Sequence, residues 1–264
     1  MCPTDTHQSA PHRPRVGIPW RTSADEDNAK AAGIRGKNED YLKAVERAGA
    51  EGVIVPLKDE RERNRLIPTL DAFVLPGSPA DVEPQEYGSE NHGLSAPPDA
   101  AREETDRAIL KHAFAEKKPV LAICYGCQLL NVYRGGTLIQ DLRAETGTAT
   151  PHRKKDLGPE AEEDPIHSAT IESGSRIASI AGTTEVAVNS SHHQAIARPG
   201  KNLRITARAS TARLRASSGP AIPIGSSVSS GIPSACPTIR SRSACSGILS
   251  LLPKLARPSR TKRN

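Results

Sequence analysis

One stretch decides the fold of this chain: Lys118-Pro119-Val120-Leu121-Ala122-Ile123-Cys124-Tyr125-Gly126-Cys127-Gln128-Leu129-Leu130-Asn131. Its apolar run of strand-forming residues ends at Cys124, Gly126 permits a tight turn, and a helical pattern follows. The pattern predicts a strand, a sharp turn and a helix, with the sulfur of Cys124 beside the positive end of that helix. Such a position favours a reactive thiolate, and the alternative is a buried structural cysteine.

The chain before this elbow alternates between strand and helix patterns. Strands are predicted at 15–19, 52–57 and 71–75, and helices at 39–48 and 98–117. This alternation predicts a parallel sheet covered by helices on both faces. After the elbow, we expect an exposed polar loop at 145–165 and short strands at 168–171, 184–189 and 203–207.

The length of 264 residues suffices for one α/β domain. No apolar span is long enough to cross a membrane, and the polar segment 1–13 lacks the apolar core of a signal peptide. We therefore expect a cytoplasmic protein with a disordered N-terminus at 1–13.

Charge separates the last fifth of the chain from the rest. The net charge is +6, but residues 211–264 hold nine basic residues and no acid, which leaves −3 for the first 210. Past Ala209 no hydrophobic period remains, so we predict a disordered, low-complexity tail at 210–264. Its basic residues are sparse and lack interleaved aromatic residues, so nucleic acid is not an expected partner.

Four motifs together resemble the class I glutamine amidotransferase-like family, in its gamma-glutamyl-gamma-aminobutyrate hydrolase branch. Residues 124–128 resemble the nucleophile elbow usually written G-I-C-x-G-x-Q, and residues 75–82, with Pro84 and Tyr87, resemble the glycine-bearing loop. Residues 189–194 resemble the N-S-x-H-H-Q segment, and residues 135–141 the stretch after the elbow helix. The resemblance implies a flavodoxin-like, mostly parallel α/β domain at 14–209.

The resemblance also implies a chemistry. Cys124 would attack a gamma-glutamyl amide and form a thioester, which water cleaves to give glutamate after the amine has left. Backbone N–H groups of Gly77, Ser78 and Tyr125 would stabilise the oxyanion. The glutamyl pocket would be shaped by Gln128, Ser191, His192 and His193. The family implies neither a metal nor a cofactor, only a small-molecule gamma-glutamyl substrate.

Simpler interpretations stay open beside these roles. Gly77 can merely form a turn, Gln128 can be an ordinary helix residue, and Cys124 with Cys127 can be a redox-active C-x-x-C pair. Two positions depart from the family: Ala122 replaces a usual Gly, and Tyr125 replaces a frequent Arg. We expect the loss of that Arg to alter how a substrate carboxylate is held.

The family's proton-transfer partners are absent from this sequence. The family supplies them in a Trp-His-Pro-Glu segment, but no His follows His193 and no acid follows Glu185. We therefore expect impaired hydrolysis. The alternatives are a non-catalytic remnant and the glutaminase subunit of an amidotransferase, and both monomer and homo-oligomer remain open.

A shift of reading frame explains the missing segment. Residues 230–234 can be encoded by AGT GGC ATC CCG AGC, and with this choice of codons one register away the gene would contain TGG CAT CCC GAG, which encodes Trp-His-Pro-Glu. The same register permits family-like residues from Ser210 onward. We therefore hypothesise a frameshift near Ala209, so that the tail is out of frame.

Overall fold

The computed structural model describes residues 13–209 and, for the backbone alone, 223–228. The rest of the predicted N-terminal segment 1–13 and tail 210–264 lies outside the described residues. The described strands are β1 (Arg15–Pro19), β2 (Glu51–Val55), β3 (Ala72–Leu75), β4 (Val120–Ala122), β5 (Thr137–Ile139), β6 (Ile166–Ile171), β7 (Glu185–Asn189), β8 (Ala195–Arg198), β9 (Leu203–Ala209) and β10 (Pro223–Val228). The described α-helices are α1 (Ser23–Ala32), α2 (Glu39–Arg47), α3 (Glu60–Leu66), α4 (Ala100–Ala115), α5 (Tyr125–Tyr133), α6 (Leu142–Thr146) and α7 (Arg176–Ala181).

The first sheet is parallel, with strand order β2-β1-β3-β4. Val16 of β1 pairs with Gly52 on one side and Ala72 on the other. The strand order reverses direction between β1 and β3, and at such a point α/β sheets commonly bind ligands beyond the carboxyl ends of the strands. The predicted α/β class is confirmed.

Side chains of β3 alternate between two cores. Phe73 and Leu75 join a cluster with residues of α4 and α5, whereas Ala72 and Val74 join a cluster with residues of α2. This alternation follows from the two-residue period of a strand. Both faces of the sheet are therefore covered by helices, as the sequence predicts.

A second sheet is antiparallel, with order β10-β9-β6-β7, and β5 pairs separately with β8. Strands β6, β7 and β9 lie where the short strands were predicted. A third core beneath this sheet contains Leu142, Ile171, Ile177 and Val188. Helices α1, α3, α6 and α7 were not predicted.

The segment 145–165 is wrong as an exposed loop at three positions, which are Thr148, His152 and Pro165. Thr148 and His152 are buried, with 8% and 3% of their surfaces exposed. His152 is buried although it is polar: its Nδ1 and its backbone N–H form hydrogen bonds, whereas its Nε2 has no hydrogen-bond partner among the described residues. Across the described part of the chain, every helix is too short or too polar to span a membrane.

Candidate active site

Cys124 stands between β4 and α5 in a strained backbone conformation, with φ 51° and ψ −113°. Side-chain residues rarely adopt a positive φ, and they do so where the surrounding structure enforces it. At Cys124 this constraint comes from close packing around Gly126, two residues later. A Cβ atom at Gly126 would lie 2.5 Å from the Leu75 carbonyl oxygen, so only glycine lets α5 approach β3. The predicted strand, turn and helix are confirmed.

The loop after β3 lies against this elbow. A Cβ atom at Gly77 would lie 3.4 Å from Cys124 Cβ and 3.9 Å from its Sγ, and the same distance from the Tyr41 hydroxyl. Among the described residues, the N–H groups of Gly77 and Ser78 donate no hydrogen bond to the protein. The loop thus leaves two backbone donors available close to the thiol.

The side chain of Tyr125 lies in the core. Its side chain is 1% exposed, and the Arg102 guanidinium lies 5.0 Å from the centre of its ring. Burial raises the pKa of its hydroxyl well above the ordinary value. This side chain lies in the core, and the expected effect of losing the family's usual Arg on the grip of a substrate carboxylate stays a prediction. The backbone N–H of Tyr125 begins α5, where no carbonyl of the helix can accept it.

Arg102 is a buried residue that the sequence pattern did not reveal. It is 0% exposed on α4 and forms an ion pair of 2.9 Å with Asp106, which is equally buried. Its guanidinium also donates to the carbonyl oxygens of Trp20, Arg21 and Pro76. Burial raises the pKa of Asp106, and the positive charge of Arg102 opposes that shift. The i, i+4 spacing of the two charges was visible, but it is equally typical of an exposed helix face.

Gln128 lies one turn into α5 with 8% of its surface exposed. Its side-chain amide donates to the Gln194 carbonyl oxygen at 3.4 Å. The elbow helix therefore contacts the 189–194 segment, although the two are far apart in sequence. Ser191, in the same segment, is exposed.

The adjacent residues His192 and His193 lie in different surroundings. His193 Nε2 donates to Asp81 at 2.9 Å, and its Nδ1 lies 3.4 Å from Asp141. The hydrogen bond to Asp81 raises the pKa of His193. His193 also lines a cavity of about 150 Å³ together with charged side chains, among them Asp141, Arg153 and Asp156.

His192 belongs instead to a cluster around the hydroxyl of Ser190. That hydroxyl lies 3.0–3.1 Å from ring nitrogens of His152, His167 and His192. His192 Nδ1 donates to the Gln194 carbonyl oxygen, so its Nε2 accepts the Ser190 proton when the ring is neutral. Burial lowers the pKa of His152 to about 3 and that of His192 to about 4. The described residues contain no cluster of side chains suited to a metal ion.

The two cysteines of the C-x-x-C pair differ in their surroundings. Cys124 is a half-buried free thiol at the elbow, whereas Cys127 is disulfide-bonded, 3% exposed and packed in the core shared by β3, α4 and α5. The buried position of Cys127 favours a structural role for it.

Comparisons with known proteins agree with this geometry. The peptidase C26 family matches residues 14–223. A glutamine amidotransferase-like protein of Lactococcus lactis subsp. cremoris is 32% identical over 63% of this chain and 85% of its own length. The gamma-glutamyl-gamma-aminobutyrate hydrolase PuuD of Escherichia coli is 31% identical over 64% of this chain and 67% of its own length.

Solved structures share the fold at low sequence identity. A protein of Thermoplasma acidophilum, described as a GMP synthase subunit, has a TM-score of 0.57 at 12% identity, and the match covers 93% of this chain and 95% of that one. The glutaminase domain of Trypanosoma brucei CTPS, with bound acivicin, has a TM-score of 0.51 at 12% identity over 92% of this chain and 93% of that one. With its family match over most of the described residues, the chain belongs to the peptidase C26 family of glutamine amidotransferase-like hydrolases.

Proposed function

We propose that Cys124 is the nucleophile of a gamma-glutamyl amide hydrolase, and that this chain performs the reaction poorly. The observation that carries the proposal is the strained backbone of Cys124, which presents its thiol at the start of α5 and beside Gly77. A relative named as a gamma-glutamyl-gamma-aminobutyrate hydrolase supports the choice of substrate class.

The reaction has two stages. In the first, the Cys124 thiolate attacks the amide carbon, a C–S bond forms and the carbonyl electron pair moves onto oxygen. The N–H groups of Gly77, Ser78 and Tyr125 stabilise that oxyanion. When it collapses, the C–N bond breaks and the amine leaves with a proton. In the second stage, water attacks the thioester and releases glutamate and the thiol.

The leaving amine requires a proton donor, and this chain lacks the donor that the family usually supplies. An alkylamine is a poor leaving group unless a positioned acid protonates it, and such groups contribute about 10²- to 10⁴-fold to rates. No His follows His193 in the sequence, so the family's usual donor is missing. We propose that a frameshift near Ala209 removed it.

Turnover tests the proposal directly. The purified chain should release glutamate slowly from gamma-glutamyl-gamma-aminobutyrate, and Cys124→Ala should abolish this release. Lys111→Ala is the control, because Lys111 is exposed on α4 and its substitution should leave activity within about twofold of the parent chain. Release that survives Cys124→Ala would refute the assignment of the nucleophile.

A chimera tests the proposed frameshift. Residues 210–264 are replaced by the translation of the same nucleotides in the register that contains Trp-His-Pro-Glu. We expect the rate to rise by about 10²-fold or more, because the proton donor is restored. A chimera no faster than the parent chain, although it folds, would contradict this explanation.

Two other functions make different predictions. A glutaminase subunit would hydrolyse free glutamine faster than gamma-glutamyl amines. A non-catalytic remnant would show no turnover and no acylation of Cys124 by any gamma-glutamyl compound. The small-molecule substrate is thus identified by comparing the two donors at equal concentration.

A further inference from the structure

We infer that Arg21 and Arg102 form an arginine clamp that aims the oxyanion-stabilising N–H groups at the substrate, which makes them positioning residues for the proposed reaction. The inference rests on the proposed function for its substrate. Its evidence is the hydrogen bonding of the loop after β3.

The two arginines hold successive carbonyl groups of that loop. Arg102 Nη2 donates to the Pro76 carbonyl oxygen at 2.6 Å, and Arg21 Nε donates to the Gly77 carbonyl oxygen at 3.3 Å. The peptide bonds of the loop are trans. In a trans peptide, the N–H points opposite to the C=O of the same plane.

The orientation of two donors follows. The Pro76 carbonyl shares its plane with the Gly77 N–H, and the Gly77 carbonyl shares its plane with the Ser78 N–H. Because each carbonyl is turned toward an arginine, each N–H is turned away from it. Neither N–H donates a hydrogen bond within the described residues, and the loop lies against Cys124. The clamp therefore leaves these donors free to meet an oxyanion.

Arg102 joins the remaining parts of the site to this loop. Its Nη1 donates to the Arg21 carbonyl oxygen at 2.9 Å, so it also holds the chain that carries the second arginine. Its guanidinium lies over the ring of Tyr125, the residue that supplies the third candidate donor. Asp106 fixes the guanidinium from the opposite end. One buried side chain thus ties β1, the loop after β3 and the start of α5 together.

The test separates oxyanion stabilisation from thiol reactivity. Acylation of Cys124 by a gamma-glutamyl p-nitrophenyl ester forms an oxyanion but needs no acid for its leaving group, so the missing histidine does not matter. Alkylation of the same thiol by iodoacetamide forms no oxyanion. We expect Arg21→Met and Arg102→Lys to slow acylation by about 10- to 100-fold, because a single lost donor costs about 10²- to 10³-fold. Alkylation should stay within about twofold, since oxyanion stabilisation plays no part in it.

Controls keep the outcomes distinct. Arg21→Lys, which retains one donor, should recover part of the acylation rate that Arg21→Met loses. Arg21 is half-buried, so its variants stay informative even if Arg102→Lys fails to fold. Equal slowing of acylation and alkylation, or no slowing of acylation in the Arg21 variants, would overturn the clamp.

A second ester distinguishes the clamp from the proposed substrate. Acylation by p-nitrophenyl acetate also forms an oxyanion, but it does not use a glutamyl pocket. If the parent chain reacts no faster with the gamma-glutamyl ester than with the acetate, the proposed substrate class fails. The acetate rates of the variants then still decide on the clamp. No acylation of Cys124 by either ester would overturn both.

Discussion

The candidate functional residues of the two sheets are held in place by different kinds of interaction. In the parallel half, which comprises β1–β4 with α2, α4 and α5, the site is built from backbone: a strained cysteine, close-packed glycines and carbonyls held by arginines. In the antiparallel half, comprising β6, β7 and β9 with segments 141–156 and 189–194, it is built from polar side chains, chiefly histidines around Ser190 and between carboxylates. We therefore expect the stability of the parallel half to depend mainly on close packing, and that of the antiparallel half on the protonation of its histidines.

The largest effect should come from filling the closest packed position of the parallel half. Gly126→Ala places a Cβ atom 2.5 Å from the Leu75 carbonyl oxygen and 2.6 Å from its Cβ, so α5 must move from β3. We expect a loss of about 3 kcal/mol in the free energy of unfolding, measured by urea denaturation.

The matched control lies in the antiparallel half. Gly182 ends α7 with φ 69°, and a Cβ atom there would meet nothing within 4 Å. Gly182→Ala should therefore cost only about 1 kcal/mol, from backbone strain alone. Equal losses for the two variants would contradict the role given to packing at the elbow.

Acid should weaken the antiparallel half first. The pKa of His152 is about 3 in the folded protein, below its ordinary value of 6.5. The unfolded chain therefore takes up this proton first, and stability is lost as the pH falls below about 6.5. Between neutral pH and pH 5 the loss from His152 should be about 2 kcal/mol. His192 acts in the same direction, with a folded pKa of about 4.

His193 opposes this trend, because its pKa is raised and its contribution is lost as the pH rises through the folded value. Urea denaturation at neutral pH and at pH 5 measures the balance. His152→Asn should reduce the pH dependence, because it removes the group with the lowered pKa. A His152→Asn variant whose stability changes with pH as much as that of the parent chain would refute the assignment of a neutral, buried His152.

The smallest effect concerns the contact between the two halves. His193 Nε2 donates to Asp81, which follows the loop after β3. Asp81→Asn should lower the pKa of His193, because the hydrogen bond to a carboxylate is the largest cause of its upward shift. NMR titration of the imidazole measures this. Asp141→Asn should lower the pKa less, since Asp141 is 3.4 Å from Nδ1 and is already paired with Arg153. The reverse ranking would contradict the geometry at this contact.

The sequence predicted the parallel half better than the antiparallel half for a physical reason. The alternation of residues in strands and the glycine at the elbow depend on neighbouring residues alone. These local patterns predicted β1, β3 and the turn at Cys124 correctly. The histidine cluster draws on residues 152, 167, 190 and 192, whose proximity depends on how distant segments pair. The spacing of residues along one strand or helix does not indicate which distant segments lie close together.

The sequence also did not indicate which charged residues are buried. Arg102 and Asp106 have the spacing of an exposed helical ion pair, and only the structure shows that both lie in the core. The burial of Tyr125 was likewise not visible in the sequence, because its position next to Cys124 says nothing about the direction of its side chain. The roles of Gly77, Ser78, Gln128, Ser191, His192 and His193 in substrate binding remain predictions.

The most direct test of the central claim is to trap the acyl-enzyme. The parent chain and Cys124→Ala are incubated with the gamma-glutamyl p-nitrophenyl ester, digested at low pH and analysed by mass spectrometry. We predict one glutamyl group on the peptide that contains Cys124 and none on that peptide in the variant. A parent chain whose Cys124 reacts with iodoacetamide but never carries a glutamyl group would contradict the assignment of Cys124 as the nucleophile.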